Sequence, residues 1–206
     1  MARVSPSLLR RTQTERRTAT RKTLLDATIT VLLESGYDGS SLAKVAKKAG
    51  LTTGSVQHHF KTKSDLMLAV IKERIFDVGD ISDLQIDLGL AVVKRCQKLI
   101  ELQWRHYGDP KYLAIWTIIL GARSDSEFTA RIADWQKNAI AQHEHAINIV
   151  FSDLHLKPSH IKSMQYFINA QLRGLAMLQV VDENPLLVKK QLKLLVNMLE
   201  KQLCKN

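Results

Sequence analysis

Apolar residues recur at helical spacing along most of this chain. Leu42, Val45, Ala46 and Ala49 fall at i, i+3, i+4 and i+7, which makes one apolar helical face. Val56 and Phe60, four apart, do the same one segment later. Near the C-terminus Ile161, Met164, Ile168, Leu172 and Leu175 form one stripe, and Val188, Leu192, Leu195, Leu199 and Leu203 form another. No stretch alternates with a strand period. Prolines punctuate instead of interrupting: none lies between Pro6 and Pro110, while Pro158 and Pro185 suit the first turn of a helix, the latter after a capping Asn184. The pattern predicts helices over 16–35, 42–49, 53–60, 63–78, 83–106, 111–123, 126–152, 159–181 and 185–204. The expected fold is all-α. Residues 1–15 form a basic, disordered arm, 16–62 a three-helix domain, and 63–206 a larger helical bundle joined to it by the helix from Lys63.

The stretch from Ser41 to Leu66 can be read turn by turn. Ser41 is placed to cap a helix whose end is marked by Gly50, a residue free to take the left-handed conformation, with Leu51 folding back on the helix. Thr52 caps the next helix. Thr62 and Asp65 fit a capping box, so a third helix starts at Lys63. Ser124 and Glu127 fit another. Two short helices around a glycine turn make a helix-turn-helix. Its second helix turns Gly54, Ser55, Gln57 and His58 away from Val56 and Phe60. Gln57 suits paired hydrogen bonds to an adenine edge. Thr53 and Ser55 suit a thymine methyl or a phosphate, and Gly54 admits a close backbone approach. Lys63, at a helix N-terminus, suits a phosphate. A solvated corner between two packing helices would show much of the same pattern.

The segment AGLTTGSVQHHFKTKSDL resembles the signature of the tetracycline-repressor (TetR) family. Ala49-Gly50, Thr52, Gly54, His59-Phe60, Lys63 and Asp65 carry the resemblance, and the preceding helix ending at Gly36-Tyr37 fits the family's first helix. It covers about the first third of the chain. It implies a transcriptional regulator, by default a repressor, that binds a near-palindromic operator in double-stranded DNA as a homodimer and is released by a small-molecule effector. It also implies that Thr52, Thr53, Gly54, Ser55, Gln57 and His58 lie at the groove and that His59 and Lys63 hold phosphates. Gln57 departs from the pattern, since the family usually has a tyrosine there that contacts the DNA backbone. The paired His58 and His59 before the phenylalanine are a second departure.

Charge points the same way. The formal net charge is +10, and residues 1–63 carry twelve basic against four acidic side chains, a local balance of +8. Such concentration is the electrostatic footprint of a phosphate-binding surface. A membrane-surface helix would need large apolar anchors, and residues 1–20 offer only Leu8 and Leu9. The longest apolar run, Leu113 to Ala122, is too short to span a bilayer, and no signal core opens the chain. Cys96 and Cys204 make no metal or redox spacing and fit a reducing cytosol, so the expected location is cytoplasmic, on the nucleoid.

The last two predicted helices are more apolar than one core requires. Leu187, Leu194 and Met198 widen the final stripe, and Gly174 and Ala176 permit close approach. Two such pairs, 159–181 and 185–204, would build a four-helix dimer interface across a two-fold axis; burial within one bundle is the rival reading. Nine of the twelve aromatics lie between Trp104 and Phe167. The resemblance implies an effector pocket there. Trp104, Tyr107, Trp116, Trp135 and Phe167 are its candidate walls, and Gln103, Thr117, Asn138, His143 and Asn169 its candidate polar groups. His143 and His145 point roughly 200° apart on a helix and cannot chelate together. With no nucleophile elbow, phosphate loop or zinc spacing, no enzyme activity, metal or cofactor is expected. A helical DNA-binding protein without an effector, acting in chromosome organisation or replication control, is the alternative.

Overall fold

The computed structural model describes residues 12–75 and 87–204. Among these, nine α-helices and no strand occur. They are α1 (Gln13–Ser35), α2 (Leu42–Ala49), α3 (Thr53–His59), α4 (Lys63–Val70), α5 (Val92–Tyr107), α6 (Leu113–Gly121), α7 (Ser126–Val150), α8 (Pro158–Leu178) and α9 (Pro185–Leu203). Residues 1–11 of the predicted arm and the stretch 76–86 fall outside the described residues, whereas Gln13–Glu15, predicted as the end of that arm, form the first turn of α1 because Thr12 and Glu15 cap it.

Local chemistry accounts for most boundaries. Thr12 and Glu15 form a capping box that starts α1 three residues before the predicted position. Ser41 accepts from the Lys44 amide at the head of α2. Gly50 ends that helix at φ 68° and ψ 31°, and the amides of Gly50 and Leu51 bond back to Lys47 and Ala46, which is a Schellman turn. Thr62 and Asp65 satisfy each other's amides at the head of α4.

Three predictions shift. Helix α4 becomes a π-helical turn over Ile71–Ile75. Helix α5 starts at Val92, because Asp87 first closes a turn with the Gly89 and Leu90 amides. The cap of α7 is Asp125 and not Ser124. The turn closes from the Asp125 amide to the Ala122 carbonyl, so the chain needs one more residue before the helix, and the Asp125 carboxylate takes the Phe128 amide.

Helices α1 to α4 fold around Leu24, Leu25, Leu32, Val45, Val56, Phe60 and Leu66, all buried. Helices α5, α7, α8 and α9 pack as a bundle around Leu99, Ile147, Ile168, Leu172 and Leu199. The two regions share one continuous apolar core. Arg95, almost fully buried, grips Asp153 with both guanidinium ends and the Val150 carbonyl, tying the start of α5 to the end of α7.

Candidate nucleic-acid interface

Helix α3 is short and shows one buried side chain, Val56, with Phe60 closing it from below. Thr52 accepts from the Ser55 amide and so opens the helix. Thr53, Gly54, Gln57 and His58 are exposed together, Ser55 and His59 are half-buried, and Thr52 lies exposed beside them. A Cβ placed on Gly54 would meet nothing nearer than the Thr52 hydroxyl at 3.9 Å. The fold therefore does not require glycine at this position, and its bare backbone is open to a molecule outside the chain.

The two residues assigned to phosphates are held differently from the sequence picture. Lys63 donates from Nζ to the Tyr37 carbonyl at 2.5 Å and lies over the Tyr37 ring, 4.0 Å from its centre. Burial lowers its pKa, with Asp38 acting in the opposite sense. A phosphate at Lys63 would have to use the two remaining ammonium hydrogens. His59 has its Nδ1 buried and without a partner among the described residues. Burial, His58, Arg17 and Arg21 all lower its pKa. The neutral form of the imidazole is thereby favoured amid its cationic neighbours.

Pattern reading missed the struts beneath this surface. Arg21 lies over the Phe60 ring at 4.5 Å and grips Glu73 of the π turn through Nε and the terminal nitrogen, at 2.9 and 2.6 Å. Lys44 reaches Ser35 and Lys48 reaches Glu34, each at 2.6 Å, bracing α2 on the end of α1. At the opposite end Tyr37 wedges against Gly121 of α6, where a Cβ would come within 2.2 Å of the tyrosine Cβ. Asp65, besides capping α4, accepts from Arg131 of α7 at 2.9 Å, and that bond is the first cause of its lowered pKa. The N-terminal helices and the bundle are thus joined through Tyr37, Lys63, Asp65, Gly121 and Arg131. An arginine outside every motif and a carboxylate already spent as a cap carry no sequence signal for these contacts.

In the bundle, Tyr107 and Trp116 come together around Arg173. The guanidinium lies 5.9 Å from the Trp116 ring centre and holds back the rise that burial imposes on the Tyr107 and Tyr112 hydroxyls. Trp104 instead covers Gly108 at the end of α5, and Trp135 and Phe167 pack at the rim of the core. Of the expected polar groups, Gln103, His143 and Asn169 are buried and Tyr107 donates to Asn169 at 3.0 Å. Asn138 is exposed, and the Thr117 hydroxyl is spent on the Leu113 carbonyl, so neither lines an interior site. Burial holds His106 and His143 neutral, with pKa values lowered to about 4.

The outer sides of α8 and α9 expose Leu178, Leu187, Leu194 and Met198; the predicted inner stripes are buried except for Leu175 and Leu192, which are half-buried and line the groove between the two helices. A groove of about 570 Å³ runs between the two helices past Gly174, which has open space around it. Ala176 faces the core, so it does not serve the outer face as expected.

A model of bacterial regulatory proteins of the tetR family matches residues 24–70, the span from α1 to the end of α4. The transcriptional regulator PksA of Bacillus subtilis is 34% identical over 85 residues, 40% of each chain. The curated relatives are matched over only about a quarter to two fifths of their own length. Over the whole fold, a transcriptional regulator from Rhodococcus superposes with a TM-score of 0.68 at 19% identity, covering 86% of this chain and 94% of that one. The regulator FadR of Bacillus subtilis, in complex with stearoyl-CoA, superposes with a TM-score of 0.64 at 20% identity, covering 88% and 96%. Sequence likeness to the tetR family of bacterial regulatory proteins is confined to α1 to α4, and likeness of fold to solved transcriptional regulators extends over the bundle.

Proposed function

We propose that this protein is a sequence-specific transcriptional regulator, a repressor that binds a near-palindromic operator as a homodimer and lets go when a small molecule binds its C-terminal bundle. The observation that carries this reading is the outer face of α3. Thr53, Gly54, Gln57 and His58 are exposed together, and the glycine is demanded by nothing inside the fold. That face matches what a major-groove reader needs: small residues for approach and an amide for a base edge.

Dimerisation is assigned to the outer faces of α8 and α9. Leu178 and Leu194 are more than half exposed there, and a monomer gains nothing from showing them to water. A second copy of the same face would cover them and set two reading helices on one side of a duplex. The effector role is supported by the stearoyl-CoA complex of a protein with the same fold and by the polar groups buried in this bundle. Such a protein would work in the cytoplasm, on the nucleoid.

Selection of bound fragments from genomic DNA, followed by titration of the recovered site at several salt concentrations, tests the reading. A palindromic consensus with binding that weakens steeply as salt rises is expected. Recovery of unrelated sequences would remove the specific-regulator reading. Light scattering on Leu194→Glu should show a monomer where the parent is a dimer.

A further inference from the structure

The bundle interior carries more polarity than its packing uses. Gln103 and Gln165 are 2% and 0% exposed, and neither end of either amide has a hydrogen-bond partner among the described residues. Buried amides are nearly always bonded, so two empty ones in one core call for something to bond.

Helical register and the contacts of their neighbours put them in one seam. The start of α5 is tied to Val150 and Asp153, just before α8 begins, so α5 and α8 run the same way. Further along, Tyr107 of α5 bonds Asn169 of α8. Gln103 is one turn before Tyr107, and Gln165 is one turn before Asn169, which brings the two amides level. One turn beyond Asn169 stands Arg173, with its Nε buried and unpartnered and no ion pair among the described residues. Its guanidinium approaches Tyr107, Tyr112 and the Trp116 ring. A permanently charged group held among aromatic rings, with no carboxylate in ion-pair contact among the described residues, is a site for an anion, and its planar fork suits a carboxylate. A phosphate dianion would lose far more hydration on entering this apolar surrounding. Eight residues separate Gln165 from Arg173, about 12 Å along the helix.

We propose that this seam binds a small organic carboxylate with a neutral hydrogen-bonding group at its far end, the carboxylate on Arg173 and the Tyr112 hydroxyl, the far group between Gln103 and Gln165. The proposal rests on the effector reading above and gives that effector a chemical class. A long acyl chain alone would leave both amides unpaired. A cleft of about 220 Å³ lined by Tyr107, Pro110, Leu113 and Ala176 reaches the tyrosine from the surface. Asp109 and Glu183 also line it, so affinity for an anion must come from Arg173, which stands beside Tyr107 outside the cleft's lining.

The test is calorimetric titration of the full chain with 8-hydroxyoctanoate and 4-hydroxycinnamate, beside their neutral amides and plain octanoate. The hydroxy acids should bind at least tenfold more tightly than the amides and more tightly than octanoate. Arg173→Met should remove binding and Arg173→Lys should keep part of it. Gln103→Met and Gln165→Met should leave the melting temperature unchanged or higher, because no partner is lost, while reducing the hydroxy acids to the affinity of octanoate. Equal binding of acid and amide, or a large drop in melting temperature in Gln165→Met, would overturn the proposal. Operator binding is measured on the same samples. Intact DNA binding with no acid bound removes the seam assignment alone, whereas acid binding without any DNA recognition removes the regulator reading and leaves the seam.

Discussion

Gly121→Ala is the sharpest test of how the two regions are joined. The new methyl would sit 2.2 Å from Tyr37 Cβ, 2.5 Å from Cγ and 2.8 Å from Cδ1. Carbon atoms rest at about 3.5–4.0 Å, so the contact must open by more than an ångström. Tyr37 cannot simply swing its ring away, because the nearest clash is with Cβ and the ring is pinned by Lys63. The end of α1 must therefore separate from α6. Overpacking of this kind costs about 1–3 kcal/mol. The displacement passes through Lys63 to the head of α4, so operator affinity should fall along with stability. Chemical denaturation and fluorescence anisotropy on labelled operator read the two effects. Tyr37→Gly removes all three clashing atoms. In a double-mutant cycle the pair should therefore show a coupling of about the size of the overpacking cost, the double variant being less damaged than the sum of the singles. Additive effects would refute the wedge.

Gln57→Ala should weaken operator binding by about 1–3 kcal/mol with little effect on random DNA, read by competition binding; equal loss on both makes Gln57 a backbone contact. Lys63→Ala should weaken binding to all sequences alike and, by releasing Tyr37, lower the melting temperature; a loss confined to one operator would contradict both roles. Acid should unfold the bundle through two imidazoles. His106 and His143 are lowered to about 4 by burial, against about 6.5 in an unfolded chain. Between those values the unfolded state holds more protons, so stability is full above about pH 7 and is lost as pH falls from 6.5 towards 4, roughly 3 kcal/mol for each group at most. Urea midpoints at several pH values check this, and a flat profile would mean the imidazoles are solvated.

What the sequence reveals here is what short-range chemistry decides. The cap at Ser41, the Schellman turn at Gly50 and the capping box at Thr62 each involve groups within five residues, and each is formed as the pattern predicts. The outward set on α3 follows, because a helix with Val56 and Phe60 buried has only one other side. Long-range partners have no such signal. Lys63 looks like a free cation until Tyr37, twenty-six residues away, is seen to hold it. Gln165, Asn169 and Arg173 repeat every four residues beside an apolar stripe, a pattern that also describes the wet flank of a surface helix. Only the position of α5 turns that flank inward. Asp125 replaces Ser124 as a cap for a reason visible solely in the preceding turn.

The joint offers the proposed effector a route to the proposed DNA face. Arg173 and Trp116 couple the polar seam to α6, and the far end of α6 is Gly121, against Tyr37. Helix α6 spans only Leu113–Gly121, too short to bend appreciably, so a displacement at Trp116 is delivered to Gly121 nearly whole. Arg131 on α7 holds Asp65 from the other side, which leaves the head of α4 gripped by both helices. A ligand can shift this joint only as far as it prefers one arrangement over the other. Arg131→Ala should therefore weaken the coupling between ligand and operator, measured as the ratio of operator affinities with and without ligand, more than it weakens ligand binding itself. An unchanged ratio would mean that the signal travels through Tyr37 alone.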